Sequence, residues 1–380
     1  MKFNKRINEL GEWFRRIAVP RITAPYWVAH QVKNSVTTYI PSLAAESKRK
    51  PVRTMLTEMT AATIRWRCLP FHYLRYELYT TDVGIDEVLS YVPDTIFYSR
   101  ILPNVNAGTV LLDDKVTCKR ILSAANVEQP SLIAVGEGSA CWSASGELIP
   151  TGRLDAVAST EKVVIKPARN TAGGDGVQVL RLVGGRLSNL DGRTFDLDKY
   201  IREWNAWLIE SYVQQDDELA VLNPHSLNTL RVITVFGQPV FCILKSGTGD
   251  GPIDNACGGG LYVRVDPETG QLDPVARTTS MRRYTTHPVT GISFRDLRIT
   301  CIRAVLELSV RAAGLFPQTP VIGWDIAVAD GAPMIIEGNS SPSLLNIQRT
   351  HGGLDDTLGT GLMRRPVNSW GQHAYTQPGQ

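Results

Sequence analysis

The chain has 380 residues, 43% of them hydrophobic and 20% charged, with a net charge of +3. That length allows two or three domains, or one composite domain with a large core, and the composition is ordinary for a globular protein. A charge this close to balance gives no case for a nucleic-acid partner, and no apolar run approaches the length of a membrane span.

Residues 1–18 carry Phe3, Ile7, Leu10, Trp13, Phe14 and Ile17 at helical spacing, with Lys2, Lys5, Arg6, Arg15 and Arg16 between them. No signal-peptide core is present. A basic amphipathic helix of this kind packs on its own domain or a partner subunit, or makes peripheral contact with an anionic membrane. Residues 1–110 as a whole are expected to be mostly helical, with Trp66, Phe71, Tyr73, Tyr76 and Tyr79 in one aromatic stretch and no evident chemistry. The run 111–122 predicts a helix opened by an aspartate cap.

From about 131 the pattern turns to strands. Apolar runs at 163–167, 177–180, 206–213, 230–236 and 239–244 are the predicted strands. A Gly-rich loop at 170–176 separates the first two, and a second Gly-rich loop spans 246–260. Structureless loops of that length are usually functional or mobile. Ile302, Val305, Leu306 and Val310 mark one face of a helix with Gly314 near its end. The cysteines Cys68, Cys118, Cys141, Cys242, Cys257 and Cys301 form no CxxC pair. They are read as buried free thiols in a reducing compartment, with a cytoplasmic location expected.

The segments Gly323-Trp324-Asp325-Ile326-Ala327-Val328 and Ile335-Ile336-Glu337-Gly338-Asn339-Ser340-Ser341-Pro342 read as a hairpin about Asp330-Gly331. A strict two-residue turn pairs Asp325 with Ile336 and sends Glu337 to the other face. A three-residue turn that includes Ala332 pairs Asp325 with Glu337, and Asn339 then shares their face. Carboxylates in the middle of apolar strands are costly unless they have a partner. Two carboxylates and an amide make an oxygen-only site suited to Mg²⁺, with Mn²⁺ as an alternative, and such an ion commonly also holds nucleotide phosphates.

Neither a Walker A loop nor a Gly-x-Gly-x-x-Gly fingerprint occurs. Instead Lys166 on a strand precedes the Gly-rich loop, followed in order by Glu210-Ser211-Tyr212-Val213, Asp216-Asp217-Glu218, Arg231, Asn255, Asp325, Glu337 and Asn339. This order resembles the ATP-grasp superfamily over about 110–355. The ending 337–342 is similar to the metal motif of the ribosomal-protein glutamate ligases and D-alanine–D-alanine ligases. The framing Leu230-Arg231-Val232, His287-Pro288 and Gly323-Trp324-Asp325-Ile326 most resembles the sugar-transfer-associated branch. Ser343 stands where many relatives have Gly after the Ser-Pro, which bears on the adjacent substrate pocket.

The resemblance implies an α/β (α+β) fold with two α+β subdomains clasping ATP. On that basis 1–110 is a mostly helical N-terminal region and 111–160 a linker and N-terminal part. Residues 161–215 are the lid subdomain, 216–355 the metal and catalytic subdomain, and 356–380 a weakly ordered tail. Lys115 or Lys119 is the first phosphate lysine, and Lys166 contacts the α/β-phosphates under a lid carrying Gly173, Gly174 and Gly176. Glu210 with the backbone of Tyr212 and Val213 receives adenine, and Asp217 or Glu218 holds the ribose. Asp325, Glu337 and Asn339 hold the metal, and Arg231, Asn255 and Lys245 form the catalytic set.

The implied activity is an ADP-forming ligase that joins a small-molecule or peptide carboxylate to an amine through an acyl phosphate. The implied setting is a natural-product, peptide or cell-surface polysaccharide pathway. A kinase of hydroxyl groups and a non-catalytic nucleotide-binding partner are the alternatives. A homodimer is compatible with the sequence. His287 and His351 are read as structural or substrate-side.

Overall fold

The computed structural model describes residues 31–150, 154, 161–169, 171, 173–184, 186–249 and 260–364. The amphipathic pattern of residues 1–18, Asn255, Cys257 and residues 365–380 lie outside these. The chain forms two compact units, Met1–Asn104 with Ile347–Pro366 and Val105–Asn346 with Val367–Gln380, each taken over its described residues.

The first unit is helical, as its pattern predicts. Residues 31–45 form one helix, and α1 (Val52–Trp66) another. The aromatic stretch is its core: Tyr73 and Tyr79 are fully buried beside Leu78, Phe97 and Ile101. One acid of α1 faces inward. Glu58 meets Lys50 at 2.8 Å and accepts from the Tyr73 hydroxyl at 2.6 Å, so neither buried charge lacks a partner. Residues 356–364 do not join a loose tail as expected: helices Asp355–Leu358 and Thr360–Arg364 fall there.

The second unit holds two antiparallel sheets. The smaller orders its strands β2-β1-β6-β3-β4-β5, from β1 (Leu132–Glu137), β2 (Ala140–Ser143), β3 (Lys162–Pro167), β4 (Gln178–Val183), β5 (Arg186–Asn189) and β6 (Ala206–Ser211). The larger runs β11-β10-β9-β8-β7-β12-β13, from β7 (Thr229–Val235), β8 (Gln238–Ser246), β9 (Leu261–Arg264), β10 (Ala276–Arg277), β11 (Arg283–Tyr284), β12 (Val321–Ala329) and β13 (Ala332–Asn339).

The predicted helix at 111–122 is interrupted. A short turn of helix ends at Asp113, and α2 (Lys115–Ala124) begins after Asp114, whose carboxylate accepts from the Thr117 N–H at 2.8 Å. The aspartate cap therefore lies inside the predicted helix. Helix α3 (Ile302–Gly314) lays Ile302, Val305, Ala312 and Ala313 on the larger sheet, against Trp324, Ile326, Val328, Leu230 and Val232. These side chains occupy alternate positions on β12 and β7, so the other face of both strands is left for the site.

The β12–β13 hairpin combines the two-residue turn with the pairing expected of the three-residue one. Ala329 pairs with Ala332, so the loop is the two residues Asp330 and Gly331, with φ of 51° and 73°. Both positive values fit a type I′ turn, which Gly and Asp tolerate. That register alone would place Asp325 opposite Ile336. A bulge at Ile336 shifts it by one residue and sets Asp325 opposite Glu337. Asp216 steadies the turn by accepting from the Gly331 N–H at 2.9 Å.

The five described cysteines are free, and Cys118, Cys141 and Cys242 are buried. Burial pushes the Cys242 thiol up to about 12, which keeps it protonated and unreactive. Among the described residues no helix is long and apolar enough to cross a membrane.

Candidate active site

Register builds a row of charge across one face of the larger sheet. Glu337 on β13 pairs with Asp325 on β12, Asp325 pairs with Arg231 on β7, and Arg231 pairs with Ile243 on β8. Lys245 lies two residues beyond Ile243, and Asn339 two beyond Glu337, so both share that face. Arg231 grips Asp325 with two parallel bonds, Nε to Oδ1 at 2.7 Å and Nη2 to Oδ2 at 2.5 Å. Lys245 adds a contact to Oδ2 at 3.4 Å. Burial alone would raise the Asp325 pKa, but the charges of Arg231 and Lys245 outweigh it and bring it down to about 2.

The other two predicted metal ligands are differently placed. The Glu337 carboxylate has no hydrogen bond or ion pair among the described residues. The Asn339 Nδ2 donates to the Gly323 carbonyl at 3.2 Å, which leaves Oδ1 as its ligand atom. Two carboxylates and one amide oxygen fit a hard cation that keeps several positions for water and phosphate. For Asp325 to join in, the Arg231 fork must yield at least one oxygen.

Facing this row, the smaller sheet supplies a second charged group. Glu210 on β6 lies between Lys166 on β3, at 2.6 Å, and Lys119 on α2, at 2.8 Å, and all three are buried. Burial opposes ionisation of Glu210, yet the two lysines hold its carboxyl below the usual range. Lys119 is held below the ordinary lysine range, first by burial and then by the nearby Lys166 cation, with Glu210 offsetting part of this. Lys166 also reaches the carbonyl of the bulged Ile336 at 3.5 Å. The Glu210 carboxylate, expected to face adenine, is thus directed at Lys119 and Lys166.

The Gly-rich loop joins β3 to β4. Gly173, Gly174 and Gly176 have φ of 69°, 80° and 74°, values that only glycine adopts without strain. Gly176 is fixed rather than loose. A Cβ there would come within 2.6 Å of Pro167 and 2.8 Å of Trp204, and its carbonyl accepts from the Tyr200 hydroxyl at 2.8 Å. Hydrogen exchange at Gly173 and Gly174 should therefore slow when an ATP analogue binds. Unchanged exchange at both would remove the covering role.

The cleft enclosed by these groups has a volume of about 1000 Å³ including its open mouth, at the upper end for small-molecule sites. Lys166, Gly173, Gly174, Glu210, Tyr212, Val213, Arg231, Lys245, Asp325, Glu337 and Asn339 line it. The Tyr212 N–H is already bonded to the Lys162 carbonyl at 3.3 Å. Val164, Val179, Leu227 and Ile336 give it apolar walls, and Ser211 and Thr229 add hydroxyls. The sequence assigns none of these six a role in the site. Strand parity from Lys166 would have found Val164, and parity from Arg231 would have found Thr229.

Other predicted residues are not brought to the cleft. Glu218 accepts from the Thr300 N–H at 2.5 Å and from its hydroxyl at 2.7 Å, ahead of α3. Asp217 is exposed in a short helix. Lys115, at the start of α2, reaches the Thr171 hydroxyl at 3.2 Å on the loop. His287 is fully buried, with Nε2 3.0 Å from the Ser246 hydroxyl, which donates to Asn228 at 2.6 Å. Burial lowers its pKa, so it is a neutral framework residue.

No curated protein matches the chain. Among solved structures it is similar to the D-alanine–D-alanine ligase of Bacillus anthracis at 15% identity, over 62% of this chain and 58% of that one, with a TM-score of 0.36. It is similar to the D-cycloserine synthetase DcsG at 12% identity, over 67% and 69%, with a TM-score of 0.41. It is also similar to the L-amino acid ligase of Bacillus licheniformis at 12% identity, over 74% and 53%, with a TM-score of 0.36. The model of one family, described as sugar-transfer associated ATP-grasp, matches residues 97–357. That match covers more than half of the sequence and carries the α+β architecture with it: the chain belongs to the sugar-transfer-associated ATP-grasp family.

Proposed function

We propose that the protein is an ATP-dependent, ADP-forming ligase that joins a carboxylate to an amine. The observation that carries this reading is the charged row Glu337–Asp325–Arg231–Lys245 facing Lys166 across one cleft. No His or Cys lines that cleft among the described residues, and its charged groups are cations and carboxylates. Phosphoryl transfer requires positioning and charge neutralisation, which cations and metal ligands supply.

In this reading Lys166 and Lys119 receive the phosphates, and the Val164, Val179, Leu227 and Ile336 walls take the adenine. Asp325, Glu337 and Asn339 would hold Mg²⁺, which neutralises charge on phosphate oxygens when bound. Arg231 and Lys245 face the transferred group. A carboxylate oxygen attacks the γ-phosphorus and ADP leaves. The amine then attacks the acyl carbon, loses a proton, and phosphate departs carrying one of the original carboxylate oxygens.

Oxygen transfer tests the reaction class. With ATP, Mg²⁺, an amine and an ¹⁸O-labelled carboxylate, the released phosphate should carry one label. Unlabelled phosphate in a fully coupled reaction would exclude activation of the carboxylate at phosphorus. Screening ADP release over amino acids, peptides and uronic acids would identify the acid.

A further inference from the structure

Charge is distributed unevenly along this near-neutral chain. Residues 1–70 hold thirteen Lys and Arg against four Asp and Glu, a balance of +9, while the remainder holds 27 against 33. Such an asymmetry points to an anionic partner for one end of the molecule. The described part of this stretch lies in the helical first unit, and its outer surface has a second property that separates one class of partner from another.

Helix α1 turns Met55, Glu58, Ala62 and Trp66 inward. Its outward arc carries Val52, Leu56 and Ile64, which are 66%, 60% and 73% exposed. The helix at 31–45 repeats the pattern with Val32, Val36 and Ile40, spaced four apart and 47%, 60% and 47% exposed. Single exposed apolar residues are unremarkable, but two helical stripes in one unit are not scattered.

The polar residues on these arcs are largely silenced. Thr57, Thr60 and Thr63 donate their hydroxyls to the carbonyls of Arg53, Leu56 and Met59, four residues back, at 3.0, 2.7 and 2.8 Å. Thr37 does the same to Lys33 at 2.9 Å. Hydroxyls bonded to their own helix lose little on leaving water. No acid lies on either outward arc, because residues 31–45 contain none and Glu58, the one acid of α1, is turned inward onto Lys50. The exposed charges of residues 31–70 are Lys33, Lys48, Arg49, Arg53, Arg65 and Arg67, of which Arg65 is paired with Asp355, and Glu46 is half-buried; Asp82, Asp86 and Glu87 are exposed further along the same unit.

We infer that these outward arcs dock on an anionic phospholipid membrane. Apolar side chains flanked by basic ones, without acids, are the pattern of an interfacial helix. A nucleic acid would meet valine, leucine and isoleucine where it needs donors to phosphate, and a second copy would set like charge against like. The inference is independent of the ligase reading, since none of these residues lines the cleft.

The test is sedimentation of the full chain with vesicles of phosphatidylcholine alone and of phosphatidylcholine mixed with phosphatidylglycerol. Binding to the mixed vesicles only, weakened by salt, is expected. Arg53→Ala should weaken it about fivefold, the worth of one basic charge at such a surface. Leu56→Ser combined with Ile64→Ser should weaken it by about tenfold or more while ADP release in solution stays unchanged. These side chains are exposed, so the variants should fold. Equal binding to both vesicle types, no binding, or binding unchanged by these substitutions would overturn the proposal. So would variants that alter only the oligomeric state, or only retention of an oligonucleotide.

Discussion

Glu337→Gln should abolish ADP formation and leave stability almost unchanged, whereas Asp325→Asn should cost both. The two carboxylates sit opposite each other on one hairpin, yet they are bonded very differently. The Glu337 carboxylate has no hydrogen bond or ion pair among the described residues, so an isosteric amide gives up little in the folded protein. Its loss should appear in turnover alone, on the order of 3 kcal/mol or more in the barrier, as for other electrostatic stabilisers.

Asp325 is also a structural anion, held by Arg231 and Lys245 in a buried position. Removing its charge leaves two cations without compensation, at about 3 kcal/mol of stability or more. The pH dependence follows from its pKa of about 2. Against an unfolded value near 4, a depressed carboxyl contributes about 2.5 kcal/mol that is fully present above the unfolded pKa. That contribution is lost as pH falls toward 2. The stability gap between wild type and Asp325→Asn, measured by denaturant titration, should therefore narrow between about pH 4 and pH 2. Wild-type turnover in Glu337→Gln would sink the metal-ligand assignment. A gap that stays constant through acid would show that the Asp325 charge does not support the fold.

The site was legible in the sequence where chemistry followed strand parity. Asp325, Glu337, Asn339 and Arg231 could be placed on one face because strands alternate. The reason for the pairing could not be read, because a bulge at Ile336 depends on how β13 packs, and Ile335 and Ile336 are alike in sequence. Glu210 was found as a strand-end acid, but its partners were not, since Lys119 and Lys166 come from other elements. The acids after β6 carried no mark to separate functional from local roles: Asp216 holds a turn, Glu218 holds Thr300 ahead of α3, and Asp217 faces water. Aromatic residues of the first unit read correctly as core. Its outer stripes were invisible as such, because exposure of Leu56 or Ile64 depends on which helix face the core takes.

Replacing Glu210 with Gln should separate two roles for the adenine and phosphate ends of the cleft. The carboxylate now lies between Lys119 and Lys166, with apolar Val164 opposite it on the neighbouring strand. In Glu210→Gln those buried lysines lose their shared anion, and the nucleotide-free protein should lose about 3–5 kcal/mol. Phosphates can supply the missing charge. Bound ADP should therefore raise the melting temperature of the variant more than that of wild type at equal ADP concentration, because ligand that binds only the folded state stabilises it in proportion to its affinity. Adenosine has no phosphate and gives the contrast. Its affinity should be unchanged, while ADP binds about tenfold more tightly relative to adenosine, or 1.4 kcal/mol, since phosphate no longer competes with a carboxylate for the lysines. If Glu210 instead reads the adenine amino group, adenosine and ADP will weaken in parallel. Calorimetric titration of the two ligands into both proteins decides between these outcomes, and a parallel loss would return Glu210 to the adenine.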